Sequence, residues 1–561
     1  MVTSLVSAQD RKNLHPLEII ASRDWSNKSQ PEQMLTLDML TDWLAEQSGH
    51  SRYHFDPLKM DVASCTSIMS YAYASRFGIL AVEMTAKEAV IAVTDPYNLE
   101  WKDELDRIVN KPISTVLANP AQLKSYLIEF YSVSRAMEGA GNKSLGELPG
   151  NIQNLEQLIE LGKTGQVEAD DQHIVSIVDW LMQYAFSQRA SDIHVEPRRE
   201  QGNVRFRIDG VMHQVYEIPA NITAAVVSRI KIMGRLDVAE KRKPQDGRIK
   251  TLSPDGAEIE MRLSSMPTAF GEKLVLRIFD PEVLVKNFAA LGFEKSESDT
   301  WNDMISRPHG IILVTGPTGS GKTTTLYTSL KHLAKPEVNV CTIEDPIELV
   351  EPSFNQMQVQ QKIDLDFATG VKTLLRQDPD IIMVGEIRDR ETAEMAVQAA
   401  LTGHLVLSTL HTNDAPSAIA RLSEIGVPPY LISATLIGVV AQRLVRTLCS
   451  HCKQQTNLDL LDWQALIKPW TTSPPENISA AEGCLECRQT GFIGRVGIYE
   501  MMPMNDDLKR EISDNFDLVK FRKTALRQGM KPLNLAGAQK VARGITTIEE
   551  VLKVAPPRYD I

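Results

Sequence analysis

The chain has 561 residues, 43% of them hydrophobic and 24% charged. That length exceeds what one hydrophobic core serves, so several domains are expected, and the composition is that of a globular protein. A formal net charge of −12 argues against a general nucleic-acid binder, though not against a local basic groove. Apolar runs stop short of the roughly 17–25 residues a membrane span needs. The longest, around Leu431 to Val440, is broken by Ser433 and Thr435. Met1 to Lys12 lacks a basic segment followed by an apolar core, so no signal peptide is expected and the chain is placed in the cytosol. Cysteines in that compartment are not read as disulfides. Cys65 and Cys341 stand alone and read as small buried apolar residues.

Residues 1–135 read as a small α/β domain. Leu37, Leu40, Trp43 and Leu44 recur at helical spacing and are expected to form one core-facing stripe. Ile79-Leu80-Ala81-Val82 and Ala89-Val90-Ile91-Ala92-Val93 read as short strands, and Asp95-Pro96 as a turn. Residues 136–170, small and polar around Gly139 to Ser144, read as a linker with a helical piece at Leu155 to Leu161. Residues 171–283 form a second domain, opened by a helix carrying Ile174, Val175, Ile177, Val178, Leu181 and Met182 on its apolar side. Val204 to Ile208 alternates like a half-buried strand and ends in an Asp209-Gly210 turn. A basic cluster, Lys241 to Arg248, and a second alternating strand, Ile259 to Leu263, follow. Most of these arginines belong on a solvated sheet face, and a minority are placed to reach phosphate.

The nucleotide domain is expected over 284–561. Its centre is Gly316-Pro317-Thr318-Gly319-Ser320-Gly321-Lys322-Thr323, preceded by the apolar run Ile311 to Val314 and followed by a helical opening at Thr324. This is G-x-x-x-x-G-K-T in its strand–loop–helix setting, which argues against a chance glycine-rich turn. Glycines let backbone N–H groups close around phosphate oxygens, and the helix N-terminus adds positive partial charge. Lys322 is assigned to the β- and γ-phosphates and Thr323 to Mg²⁺. Three more apolar runs end in polar chemistry: Val338 to Ile343 at Glu344, Ile381 to Val384 at Glu386, and Leu405 to Ser408 at His411. Parallel sheets place their ligand sites at such strand ends, so a doubly wound α/β domain is expected. Glu386 is assigned to Mg²⁺ and Glu344 to the attacking water. His404 and His411 are both candidates to sense the γ-phosphate.

Cys449-Ser450-His451-Cys452 and Cys484-Leu485-Glu486-Cys487 are two C-x₂-C pairs, the pattern of a closed tetrahedral Zn²⁺ site with no open position for catalysis. Their separation is long for a zinc ribbon, so Trp463 to Ala481 reads as a folded insertion.

With these motifs in place, the chain resembles the secretion and type IV pilus assembly ATPases, the family of general secretion pathway protein E and PilB. The matching segments are Gly316 to Thr325, Thr342 to Glu348, Leu375 to Asp380 through Gly385 to Asp389, Thr402-Gly403-His404 through Ser408 to Asp414, Ala190 to Gly210, and the cysteine quartet with Gly491 to Arg495. The resemblance implies a RecA-like domain preceded by a PAS-like α+β domain and an N-terminal docking domain, with a tetracysteine zinc subdomain over 449–487. It implies ATP hydrolysis by a homohexamer whose N-terminal domain meets an inner-membrane platform; the acidic balance and the absence of a basic, aromatic-laced stripe speak against direct nucleic-acid contact. It also implies that Arg248 and Arg262 reach a nucleotide bound by a neighbouring subunit. An Arg-Leu-Gly-type cyclic-di-GMP motif carried by some members is not found near this N-terminus. Type II secretion is slightly preferred to pilus extension. A nucleic-acid motor and a non-hydrolysing scaffold are weaker readings.

Overall fold

The computed structural model describes residues 15–131, 169–279 and 287–557, apart from 24, 28, 29, 56–61, 86, 87, 110, 125, 129, 253–255, 257 and 485. The expected linker and its helical piece lie outside the described residues. Among the described residues no helix is long and apolar enough to cross a membrane.

The N-terminal part pairs β1 (Ser26–Asn27) with β2 (Gln30–Met34) and builds a four-stranded sheet from β3 (Arg52–Tyr53), β4 (Ile79–Met84), β5 (Ala89–Val93) and β6 (Ile113–Ala118), in the order β3-β6-β5-β4. The helix Leu37–Ser48 starts where Thr36 Oγ1 accepts the Met39 N–H at 3.3 Å and stops at Gly49, whose φ of 70° suits glycine. Its buried face differs from the expected stripe. Thr41 and Ala45 are the buried residues, Leu37, Leu40 and Leu44 flank them half-buried, and Trp43 is 55% exposed. At about 100° per residue, Trp43 falls well outside the arc that the other positions share.

The second part is a six-stranded sheet in the order β10-β11-β12-β7-β8-β9, from β7 (Ala190–Pro197), β8 (Gln201–Ile208), β9 (Val211–Pro219), β10 (Gln245–Leu252), β11 (Glu258–Thr268) and β12 (Gly271–Phe279). Asp209 and Gly210, at φ 50° and 87°, close the β8–β9 hairpin with the backbone twist that a two-residue turn requires. Period-2 alternation sorts the side chains. Ile193, Val195, Val204, Phe206, Met261, Leu263, Leu274 and Leu276 face a core shared with the helices Gln172–Ser187 and Ala220–Met233. The opposite face carries the charges. There Glu196 takes Arg205 at 2.7 Å and Lys273 at 2.9 Å.

The third part is a seven-stranded sheet ordered β15-β14-β16-β17-β13-β18-β21. β13 (Gly310–Thr315), β14 (Val340–Glu344), β15 (Asn355–Gln358), β16 (Ile381–Val384), β17 (Leu405–Leu410) and β18 (Leu436–Leu448) run parallel, and β21 (Phe492–Pro503) closes the sheet antiparallel to β18. β13, β14, β16 and β17 are buried along their whole length, the expected signature of parallel strands covered on both faces. The apolar stretch around Leu431 to Val440 divides at Leu436, between the helix Pro429–Thr435 and β18. Between the cysteine pairs lie β19 (Gln454–Asn457), the helix Leu460–Ile467 and β20 (Asn477–Ala480). The helices Asp506–Glu511, Leu518–Arg527, Leu533–Ala542 and Ile548–Val554 complete the chain.

Candidate nucleotide site

β13 delivers the phosphate loop to the carboxyl edge of the sheet, and Gly321 caps the helix Lys322–Leu333 in the left-handed region at φ 86°. Gly316 is the position that tolerates no side chain. A Cβ there would sit 2.6 Å from the Gln442 carbonyl oxygen and 3.1 Å from Arg443 Nη1. Lys322 Nζ donates to the carbonyls of Gly316 at 2.8 Å and Pro317 at 3.1 Å, which aims the ammonium into the cradle formed by the loop. Burial lowers the pKa of Lys322, nearby Glu386 opposes that, and Arg443 adds to it. Thr323 and Thr324 occupy the first helical turn, half-buried. Pro317, Thr318 and Gly319 form the exposed or half-open rim, while the Ser320 hydroxyl is buried without a hydrogen-bond partner.

Three neighbouring strands bring their acidic and histidine side chains to this same edge. Glu344 ends β14 at 3% exposure and accepts from Tyr327 Oη at 2.6 Å, Thr342 Oγ1 at 2.6 Å and Gln356 Nε2 at 3.1 Å. Glu386 follows β16, ion-paired to Arg388 and 3.2 Å from His411 Nε2. His411 follows β17 at the phosphate-loop end. His404 sits at the other end of that strand, where its backbone carbonyl accepts the Gly310 N–H and its ring meets Ala399 O at 2.9 Å. Because β17 runs parallel to β13 from Leu405 beside Gly310 to Leu410 beside Thr315, strand direction alone separates the two histidines.

Arg443, Gln442 and Arg522, which no sequence motif singled out, join motif residues around the site. Arg443 on β18 donates to the carbonyls of Gln442 and Asn413, both at 2.9 Å, and so ties the loop after His411 to the strand beside the phosphate loop. Gln442 Oε1 accepts from Thr325 at 2.8 Å. Asp414 caps the helix Ala415–Ile425 and pairs at 3.2 Å with Arg522, a buried arginine of the helix Leu518–Arg527. Arg388 pairs with Glu386 and lies 3.8 Å from Asp345, and Asp389 caps the helix Arg390–Leu401. Arg376 donates to Lys372 O at 2.9 Å, and Asp380 accepts the Asn339 N–H at 2.7 Å. The six-stranded sheet places Arg248 and Arg262 directly opposite one another on β10 and β11, with Glu260 3.1 Å from Arg248.

The four cysteines converge. All their sulfurs lie within 4.8 Å of one another, with Cys449–Cys484 and Cys452–Cys487 at 3.8 Å and Cys484–Cys487 at 3.7 Å. A tetrahedron of Zn–S bonds of about 2.3 Å has edges of about 3.8 Å, so the sulfur set fits zinc. Gly483 N–H and Gly491 N–H point at Cys452 and Cys487 sulfurs, 3.3 and 3.2 Å away, as donors to thiolates do. His451 is outside the quartet.

A phosphate loop flanked by carboxylates at the ends of parallel strands defines a P-loop nucleoside triphosphatase. More narrowly, the chain belongs to the Type II/IV secretion system protein family, whose model matches residues 167–553, and it is an ATPase of that family. The MshEN domain model matches residues 52–137. Among its relatives are the type IV pilus assembly ATPase TfpB of Acinetobacter baylyi, 54% identical over 543 residues that cover 97% of this chain and 92% of that protein, and the type II secretion system protein E of Pseudomonas aeruginosa, 43% identical over 449 residues that cover 80% and 87%. The fold is that of the ATPase DotB of Legionella pneumophila, at 21% identity and a TM-score of 0.52, covering 68% of this chain and 95% of that one.

Proposed function

We propose that the protein hydrolyses ATP to drive type IV pilus assembly as a homohexamer docked on an inner-membrane platform through its N-terminal domain. What supports the chemical part is a single arrangement: Lys322, Glu344, Glu386 and His411 arrive at one sheet edge from four adjacent parallel strands. The phosphate loop from Gly316 to Thr324 grips the phosphates, and Lys322 supplies positive charge to the β- and γ-groups. Thr323 and Glu386 offer the oxygen donors that Mg²⁺ prefers, and the ion, when bound, neutralises charge on the phosphates. Glu344 orients and deprotonates the attacking water, and His411 reports the state of the γ-phosphate through its pairing with Glu386. Arg248 and Arg262 supply positive charge from a neighbouring subunit.

Pilus assembly is preferred to type II secretion because a pilus assembly relative matches at 54% over 97% of the chain, against 43% over 80% for a secretion relative. This reverses the slight preference drawn from motifs alone, which both branches share. Deleting the gene should abolish surface pili and leave exported enzymes in the medium unchanged, and the opposite phenotype would assign the protein to secretion. Purified protein should show Mg²⁺-dependent phosphate release. It should carry one zinc per chain on Cys449, Cys452, Cys484 and Cys487, and elemental analysis without zinc in chelator-free protein would refute that site. As metal-binding energy is folding energy, replacing one of these cysteines should destabilise the C-terminal region.

A further inference from the structure

The carboxylate assigned to activating water is held in a cage of its own. Tyr327 Oη donates to Glu344 Oε2 at 2.6 Å. Thr342 Oγ1, two residues back on the same strand, donates to Oε1 at 2.6 Å, and Gln356 Nε2 reaches the same oxygen at 3.1 Å. Gln356 faces Thr342 across the β14–β15 pair. It also lies 3.0 Å from the tyrosine oxygen and 2.9 Å from the Leu349 carbonyl, while its own Oε1 accepts the Glu351 N–H at 2.7 Å. Tyr327 belongs to the helix that opens with Lys322, one turn beyond the residues that meet the phosphates. Burial and the Glu344 charge raise the pKa of the tyrosine, so its hydroxyl stays a proton donor across the working range.

This arrangement ties two segments to one carboxylate. A shift of the phosphate-loop helix carries Tyr327 with it. A shift of residues 345–354 acts on Gln356 through Leu349 and Glu351. Both end on one carboxylate, whose orientation decides whether a water on the γ-phosphate side is activated. We propose that Tyr327 and Gln356 are positioning residues for hydrolysis, which set the orientation of the Glu344 carboxylate from the phosphate-loop helix on one side and the edge strand on the other. This rests on Glu344 being the base.

The test uses the full-length protein with Tyr327→Phe, Gln356→Ala, Glu344→Gln and the double variants Tyr327→Phe/Glu344→Gln and Gln356→Ala/Glu344→Gln. Each is assayed for phosphate release and for binding of a fluorescent ATP analogue. Tyr327→Phe and Gln356→Ala should each lower kcat about 10- to 100-fold, a part of the roughly 10²–10⁴ that a general base contributes, with KM and analogue affinity within about twofold. Neither substitution should lower turnover further once Glu344 is Gln, since residues that act through one group are not additive. A further tenfold loss in that background would overturn the proposal. So would wild-type kcat in both single variants beside an inactive Glu344→Gln. Retained turnover in Glu344→Gln itself overturns the reading on which the proposal stands. Gln356→Ala, in a half-exposed edge strand, keeps the test alive if Tyr327→Phe melts early.

Discussion

The two sheets that carry the proposed ATPase chemistry present their side chains in opposite ways. In the seven-stranded sheet, the groups proposed for the chemistry stand where strands end and are already engaged: buried Lys322 on loop carbonyls, buried Glu344 in its three-donor cage, and half-buried Glu386 on Arg388 and on the more exposed His411. In the six-stranded sheet, charged side chains spread along whole strands, and Arg248, 45% exposed at the side chain, pairs across the strand with Glu260. A parallel sheet buried on both faces has nowhere but its ends to put polar chemistry. An antiparallel sheet with one wet face puts a polar residue at every second position, so a functional arginine looks like its neighbours. The first kind of site is pre-organised within its own chain. The second, in the proposed hexamer, is completed by a nucleotide on another subunit.

The sharpest way to break this contrast is to mix subunits. Arg248→Ala chains alone should lose turnover by roughly 10³–10⁵, the range for an arginine supplied in trans. Mixed with Lys322→Ala chains, also inactive alone, they should recover activity, since one site can take its lysine from one chain and its arginine from the other. No recovery in rings shown by mass to be mixed would place both halves of the site in one subunit or make the ring strictly concerted.

A somewhat smaller loss is expected inside the parallel sheet. Glu344→Gln should slow phosphate release by roughly 10²–10⁴ while nucleotide affinity is retained, whereas Lys322→Ala should weaken affinity too. Near-wild-type turnover in Glu344→Gln would move the base role to another carboxylate.

A third effect concerns stability and its pH dependence. Glu500 on β21 is buried beneath the site and accepts the Ala415 N–H at 2.7 Å. Burial pushes its pKa from 4.5 up to about 7, against the pull of the Ala415 and Leu533 N–H groups, Arg522 and Arg443. Below about pH 4.5 the folded and unfolded chains both hold the proton. Between there and about pH 7 only the folded chain does, so stability is lost as pH rises through that window, by about 3 kcal/mol in all. Glu500→Gln mimics the protonated group. Its thermal midpoint should match wild type near pH 4.5 and exceed it increasingly toward pH 8, and parallel profiles would show that Glu500 is ionised throughout.

The smallest effect closes the comparison. Arg248→Ala should change the thermal midpoint little, since an exposed ion pair contributes about 0–1 kcal/mol, even though its effect on turnover is among the largest. A strong loss of stability would mean that Arg248 holds the sheet together instead of serving a neighbour.

The sequence by itself determined the phosphate loop, the acidic strand ends and the cysteine quartet, because each is local: a fixed spacing in one loop, at one strand end, or in two tight knuckles. The order of strands in the sheet was not local, and that order made the decisions the motifs left open. It put His411 beside Glu386 and sent His404 to the far end of β17. It brought Gln356 across from Thr342, and Arg443 behind Gly316, through pairings that nothing in either residue's neighbourhood announces. Helical period implied a stripe through Trp43, but the packing of that helix chose the arc centred on Thr41 and Ala45. Periodicity states which residues share a face of an element, and only the partner that covers the face decides where its centre lies. Tyr327 shows the limit most plainly. It reads as one more apolar position on a helix, and only the fold brings β14 close enough for its hydroxyl to find Glu344.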